Sequence, residues 1–286
     1  MQKKIAHILE GKEKHITETD IVLQPLPHKD FRFANPFIVL HHMKPQYIAP
    51  GEQEMRLHPH PHRGFAPVTF MLQGEGYHKD NAGHDMVVKA GDVQWMFAGR
   101  GILHSEGPTP EMLKKGGHYE LIQLWINAPK ANKADAPHYQ HVTNAQQPAV
   151  LSAQGVDLRL ASGQFDGQQG PIHTYTPIVS LCGTLTAGST IQLPAKAGWW
   201  TLLYVAHGQV TVQNDTPVGA YHLVIFDKEG TDITVTATAD AQLLFLSGEP
   251  IEEPLAVKDN FVMNTPEEIE QAISDAKTGQ FGTLAY

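Results

Sequence analysis

Short β-rich runs separated by glycine turns are the feature that most constrains the fold of this chain. The runs lie at 68–72, 86–88, 93–97 and 121–126, and again at 202–205, 210–212, 222–226, 233–236 and 243–246. Turn signals such as Gly74-Glu75-Gly76 separate them at intervals of roughly 8–12 residues, a spacing typical of β-sandwiches and barrels. The pattern predicts an all-β fold.

The β pattern occurs twice along the chain. Gly64-Phe65 precedes Gly74 by the same interval that separates Gly198-Trp199 from Gly208, and a β-rich run lies inside each interval. Two copies of one β unit explain this match. The polar segment 127–138 has two prolines and no hydrophobic period, so it predicts a linker between domains at 1–130 and 131–286.

One helix is predicted near the C-terminus. Asn264 or Thr265 is a suitable N-cap, Pro266 suits the first turn, and Gly279 suits the end. The stripe formed by Ile269, Ala272 and Ile273 predicts a structural helix packed on a barrel.

Charge and composition exclude several classes of function. The formal net charge of −9 argues against a nucleic-acid groove, which needs a basic surface to neutralise phosphates. The single cysteine, Cys182, excludes an intramolecular disulfide. The first twenty residues lack the apolar stretch of a signal peptide, and no window resembles a membrane span. These features lead us to expect a cytoplasmic protein without membrane or direct nucleic-acid partners.

Two pairs of metal-ligand residues carry the chemistry of this sequence. In an extended strand, residues two apart point to the same face, so His60 and His62 form one pair and His104 and Glu106 the other. His58 shares this parity, but three successive ligands would span too far for one ion, and we expect it at the rim. Three imidazoles and one carboxylate suit Fe(II), Mn(II), Ni(II), Cu(II) or Zn(II) and suit Mg(II) or Ca(II) poorly.

The residues around both pairs resemble the pirin family of the cupin superfamily. The similar motifs are His60-Pro61-His62-Arg63-Gly64-Phe65, Gly74-Glu75-Gly76, 91–96, Ala98-Gly99-Arg100-Gly101-Ile102-Leu103-His104-Ser105-Glu106, 123–127 and 261–265. The resemblance extends from about residue 35 to residue 281 and is most specific over 58–127.

The resemblance implies a bicupin, two antiparallel jelly-roll-like β-barrels with a short C-terminal helix. It also implies one metal ion, usually iron, bound in the N-terminal barrel by His60, His62, His104 and Glu106, and a C-terminal barrel without metal. The sequence agrees with the second expectation, because the repeat aligns Pro194 and Lys196 with His60 and His62.

Two functions follow from the resemblance, and both stay open at this point. Some pirins open flavonols such as quercetin with O2, as quercetin 2,3-dioxygenases. In such an enzyme Glu106 would be the general base that takes the flavonol hydroxyl proton. The apolar walls of the site would come from Phe65, Phe70, Trp95 and Met96.

Other pirins are non-catalytic, metal- and redox-dependent protein partners that regulate transcription or metabolic enzymes. The motifs disfavour a storage or sugar-binding cupin and a zinc phosphomannose isomerase.

The chain departs from the usual pirin pattern at three places. Ala66-Pro67 replaces a common glutamate, and His41-His42 stands where acidic residues are frequent. An insert at 109–117 is expected to shape the mouth of the site.

Overall fold

The structure is a computed structural model that describes residues 1–17, 20–51, 57–151, 153–213 and 215–285. The first strands are β1 (Ile5–Glu10), β2 (Lys12–His15), β3 (Ile21–Leu26), β4 (Phe37–Ile48), β5 (Leu57–His62), β6 (Phe65–Gln73), β7 (Glu75–Asp80), β8 (Asp85–Lys89), β9 (Val93–Phe97), β10 (Ile102–Pro108), β11 (Gly117–Asn127) and β12 (His138–Val142). The later strands are β13 (Ala149–Val150), β14 (Val156–Ser162), β15 (Gln164–Phe165), β16 (Gln168–Gln169), β17 (Ile178–Leu185), β18 (Thr190–Pro194), β19 (Trp200–His207), β20 (Gln209–Val212), β21 (Thr216–Gly219), β22 (His222–Phe226), β23 (Asp232–Ala237), β24 (Ala241–Gly248), β25 (Ala256–Lys258) and β26 (Phe261–Met263).

The helical content is small. The α-helices are α1 (Pro110–Lys115) and α2 (Pro266–Lys277), and short 3-10 turns lie at Lys130–Asn132 and Asn144–Gln146. The strand ladders given for the described residues are antiparallel, as in those of β5 with β10 and of β18 with β23. The predicted all-β, bicupin fold is confirmed.

The chain forms two compact units, each built from two segments. Unit 1 contains 1–42 and 145–250, and unit 2 contains 43–144 and 251–286. The domain boundaries 1–130 and 131–286 remain a prediction. The compact units have different boundaries. Unit 1 includes strands from the beginning of the chain, and unit 2 includes the last segment of the chain. A single boundary in the sequence therefore cannot separate the two units.

The segment predicted as a linker lies within unit 2. It contains the 3-10 turn Lys130–Asn132, and β12, which begins at its end, pairs with β9. Lys133 is 4% exposed, and its ammonium donates to the carbonyl oxygens of Gly64 and Val262 and to Oδ1 of Asn127. These hydrogen bonds explain why a polar segment without hydrophobic periodicity is ordered.

The two units share one strand order. In unit 2, the order within one sheet is β12-β9-β6-β11 followed by β4, whose second half belongs to this unit, and the order in the other sheet is β5-β10-β7-β8. In unit 1, the corresponding orders are β1-β22-β19-β24-β17 and β18-β23-β20-β21. Gly74 and Gly208 occupy equivalent turns with φ of 81° and 75°, a conformation that favours glycine. The predicted repeat is therefore a repeat of structure.

The interiors of the units differ in chemistry. Unit 1 is filled by one large apolar cluster that includes Leu193, Val205, Val224, Ile233 and Phe245. The apolar clusters described in unit 2 include one around Met71 and Met112, one around Met96 and Ile102, and one around Phe261 and Ile269, and the same unit buries several histidines and Asp80.

The C-terminal helix begins and packs as predicted. Thr265 is the N-cap, and its hydroxyl accepts from the Glu268 N–H while the Glu268 carboxylate accepts from the Thr265 N–H, which forms a capping box. Ile269 and Ala272 are buried against Phe261. Helix α1 was not predicted, although Thr109-Pro110-Glu111 repeats the Thr-Pro-Glu signal that begins α2.

Candidate metal centre

Three histidines from two paired strands converge inside unit 2. His60 and His62 lie on β5, and His104 lies opposite His60 on β10. The ring centroids are 4.3 Å apart for His60 and His104, and 4.9 Å apart for the other two pairs. One ring nitrogen from each histidine lies within 4.8 Å of the others. The two-residue spacing on β5 and the antiparallel register together produce this convergence.

The Nδ1 atom of each histidine contacts a group outside the three-histidine group. His60 Nδ1 donates to the carbonyl oxygen of His58 at 2.9 Å, and His62 Nδ1 donates to that of Asn260 at 3.3 Å. His104 Nδ1 lies 3.5 Å from Nδ1 of His78. A neutral imidazole with its proton on Nδ1 has a free lone pair on Nε2, which is the form that binds a metal.

The buried Nε2 atom of His104 has no hydrogen-bond partner. An unsatisfied buried polar atom typically costs about 1–3 kcal/mol, so a native structure that retains one needs a reason for it. Burial, and secondarily the neighbouring imidazole of His60, holds the pKa values of His62 and His104 well below their usual range. Both rings are therefore neutral at neutral pH, as ligands must be. This donor set fits a divalent transition ion.

Glu106 lies two residues after His104 on β10. A register shift separates His104 from Glu106 along β10, and Glu106 is half-buried. Its carboxylate accepts from Nε2 of Gln123 at 2.7 Å, and Gln123 Oε1 accepts from Nε1 of Trp125 at 3.3 Å. The group of converging nitrogens contains the three histidines, so the fourth predicted ligand remains a prediction.

Two aromatic rings lie against His62. The Phe65 and Trp125 centroids are 5.1 and 5.7 Å from that of His62 and 4.5 Å from each other. Of the predicted apolar walls, Phe65 is therefore at the site, while the other three are buried residues of β6 and β9, namely Phe70, Trp95 and Met96. Trp125 was not among the predicted wall residues.

Comparison with known proteins identifies the family. The model of the pirin family matches residues 16–126, and that of the pirin C-terminal cupin domain matches 181–282. Pirin-1 of Arabidopsis thaliana is 37% identical over 229 residues, which are 78% of this chain and 77% of that protein. This chain belongs to the pirin family.

Two solved structures extend the comparison. A crystal structure titled quercetin 2,3-dioxygenase, from Acinetobacter baumannii, is 33% identical, covers 100% of both chains and superposes with a TM-score of 0.94. A bacterial pirin from Escherichia coli, solved in complex with nickel(II), shares the fold at 21% identity with a TM-score of 0.65, covering 86% of this chain and 99% of that one.

Behind the histidine group, this pirin contains a second buried layer on β7. His78 and Asp80 are 1% and 3% exposed, and Asp80 lies opposite His104 in the β7–β10 ladder. Burial alone would raise the pKa of Asp80, but hydrogen bonds from His78 and from the His84 backbone outweigh burial and leave this pKa below its ordinary value. The layer was missed in the sequence, although His78 and Asp80 have the same two-residue spacing as the predicted pairs.

The other features singled out in the sequence are not members of the three-histidine group. His58 is exposed, as expected of a rim residue. Helix α1 of the insert buries Met112 against Ile48, Met71 and Tyr119. His41 belongs to unit 1, where Nε2 donates to Gln24 and burial lowers the pKa of the ring to about 3.

Neither α-helix in the described parts of the chain has the length and apolar character needed to span a membrane.

Proposed function

We propose that this pirin is a metal-dependent dioxygenase that opens flavonols such as quercetin with O2. The observation that carries the proposal is the convergence of three imidazoles whose Nδ1 atoms all face other partners, one of them with an unpartnered Nε2 atom. His60, His62 and His104 would hold one divalent ion, with Glu106 as a fourth ligand. Iron is expected, and manganese, nickel, copper and zinc are alternatives for the same donor set.

The bound ion would supply Lewis-acid stabilisation of the flavonol oxyanion and a path for electrons to dioxygen. The chain's own residues supply the other requirements. The Glu106 carboxylate is half-buried, faces a polar amide and suits the role of general base for the flavonol hydroxyl proton. Gln123 holds that carboxylate, and Trp125 fixes the amide of Gln123 by occupying its oxygen.

Phe65 and Trp125 suit a planar aromatic substrate. Their rings form an apolar edge beside His62, against which the fused rings of a flavonol could pack. The full-length similarity to a protein titled quercetin 2,3-dioxygenase supports this class of substrate.

The test is oxygen uptake by protein purified without oxygen and reconstituted separately with Fe(II), Mn(II), Ni(II), Cu(II) and Zn(II). With quercetin present, we expect uptake and flavonol loss in equal amounts with the working metal, and none with His62→Ala. Glu106→Gln should retain some bound metal and lose at least about 100-fold in kcat per bound metal, since a general base typically contributes 10²–10⁴-fold. Full activity of Glu106→Gln would remove Glu106 from the role of base.

The alternative function is a non-catalytic, metal- and redox-dependent protein-binding regulator. Absence of uptake with every metal, at full occupancy, would contradict the dioxygenase and favour this alternative. A pull-down whose bound proteins change when the metal is removed would then support the regulator.

A further inference from the structure

The orientation of His104 depends on a side chain, whereas that of the other two histidines depends on the backbone. His60 and His62 donate from Nδ1 to carbonyl oxygens, which accept only, so these contacts fix the proton on Nδ1. His104 Nδ1 faces Nδ1 of His78, and an imidazole nitrogen either donates or accepts. The proton position on His104 is therefore set by the tautomer of His78.

Asp80 determines the tautomer of His78. The Oδ2 atom of Asp80 lies 3.0 Å from His78 Nε2, and an ionised carboxylate only accepts. When the His78 ring carries a single proton, the contact with Asp80 places that proton on Nε2, and Nδ1 is then the acceptor that faces His104. His104 donates from Nδ1, and its Nε2 atom turns a free lone pair towards His60 and His62.

Asp80 is itself held rigidly. Its Oδ1 atom accepts from the backbone N–H groups of Ala82 and His84 at 2.9 and 3.0 Å, and His84 Nδ1 lies 3.0 and 2.9 Å from the two carboxylate oxygens. Tyr139 stacks on both imidazoles, with centroids 4.7 Å from His78 and 5.0 Å from His84. Neither the carboxylate nor the His78 ring can rotate without breaking several of these contacts.

We propose that Asp80, acting through His78, is a positioning residue that places the His104 proton on Nδ1 and so keeps Nε2 competent to bind the metal. This inference rests on the proposed metal site for its consequence, but the proton position on His104 is a property of the metal-free protein. The two can therefore fail separately.

Asp80→Asn tests the proposal at nearly constant size. Two backbone N–H groups fix the oxygen of the new amide at the Oδ1 position, so its NH2 group takes the place of Oδ2 and donates to His78 Nε2. His78 must then carry its proton on Nδ1 and donate to His104, whose proton moves to Nε2. Exchange of a tautomer by such an acid-to-amide change is an established effect for a buried Asp–His pair.

The first readout is ¹⁵N NMR of metal-free, histidine-labelled protein, with the His104 signals assigned by their loss in His104→Gln. We expect Nδ1–H in the wild type and Nε2–H in Asp80→Asn. The second readout is Co(II) titration by visible absorption, where we expect Asp80→Asn to bind about 10- to 100-fold more weakly. Asp85→Asn, an exposed acid on the neighbouring strand β8, is the matched control and should change neither readout.

A wild-type proton position on His104 in Asp80→Asn would overturn the proposal, whatever the metal affinity. If Asp80→Asn does not fold, a second pair of variants decides. His78→Gln offers a carbonyl to His104 and an NH2 group to Asp80, so it should preserve Nδ1–H and Co(II) affinity, whereas His78→Leu should lose both. Equal behaviour of the two would also overturn the proposal. If the proton positions on His104 are as expected in both proteins but the wild type consumes no oxygen, only the proposed dioxygenase function is contradicted.

Discussion

The β5–β10 ladder of unit 2 and the β18–β23 ladder of unit 1 hold the same place in the strand order, yet one is lined by imidazoles and the other by aliphatic side chains. His60 pairs with His104 in the first, and Leu193 pairs with Ile233 in the second. One backbone arrangement therefore supports either a polar site or a dry core.

The difference between the ladders lies in their neighbours. A buried imidazole needs a partner for its N–H group, and unit 2 supplies the carbonyl oxygens of His58 and Asn260 and the ring of His78. In unit 1 the counterpart of β7 is β20, which contributes buried Val210 and Val212 in that region. The hydrogen-bond partners of the imidazoles therefore distinguish the two ladders.

The largest expected effect follows from placing a ligand in unit 1 without those neighbours. Leu193→His should reduce the free energy of unfolding by about 3–5 kcal/mol, because packing is lost and a polar ring is buried without a partner. Urea denaturation measures this loss. Gln192→His, on the exposed face of the same strand, should stay within about 0.5 kcal/mol of wild type. A well-tolerated Leu193→His would show that partners are not what separates the two ladders.

A second effect, of intermediate size, concerns the buried Lys133 of unit 2. Burial lowers the pKa of Lys133 to about 7, against the opposite influence of the Glu253 and Glu268 carboxylates. Between this pKa and the unfolded value near 10.5, the unfolded chain binds a proton that the folded chain does not, so stability rises with pH. The rise approaches about 1.4 kcal/mol per pH unit.

Unfolding of the wild type and of Lys133→Met at pH 7 and pH 9 measures this contribution. The wild type should gain about 2 kcal/mol more than the variant over this interval, after allowing for partial titration near pH 7. Lys89→Met, at an exposed position, should follow the wild type. Parallel pH profiles for wild type and Lys133→Met would contradict the assigned pKa.

The smallest effect concerns α2, one of the two α-helices of unit 2, whereas unit 1 has no α-helix among the described residues. Thr265→Ala removes half of the capping box of α2 and should cost about 1 kcal/mol of stability. Thr265→Ser keeps the hydroxyl and should recover most of it. Because Arg63, next to His62, pairs with Asp275 of α2 at 2.8 Å, the loss should appear as faster hydrogen exchange in β26 and α2. Unchanged hydrogen exchange in β26 and α2 would show that the stability of α2 is not coupled to the region around His62.

Much of this molecule follows from the sequence. The alternation of side chains along strands predicted that His60, His62 and His104 converge, and the equal glycine intervals predicted the repeat. His78 and Asp80 have the same two-residue spacing. Their position next to His104, however, requires β7 to pair with β10, and the spacing of residues does not predict the order of strands. The Asn260 acceptor is a backbone carbonyl, so no side-chain pattern encodes it. The contribution of residues 1–42 to unit 1 also depends on long-range pairing, such as that of β1 with β22.

The contact between His62 and Asn260 has a consequence for the order of events during synthesis. His60, His62 and His104 leave the ribosome first, then most of unit 1, and only afterwards Asn260 and the strands β25 and β26. At typical rates of translation, the interval between His104 and Asn260 is roughly 8–30 s. During that time the nascent chain carries all three imidazoles without the carbonyl that orients one of them. The hydrogen bond that orients the His62 ring can therefore form only after Asn260 has been synthesised.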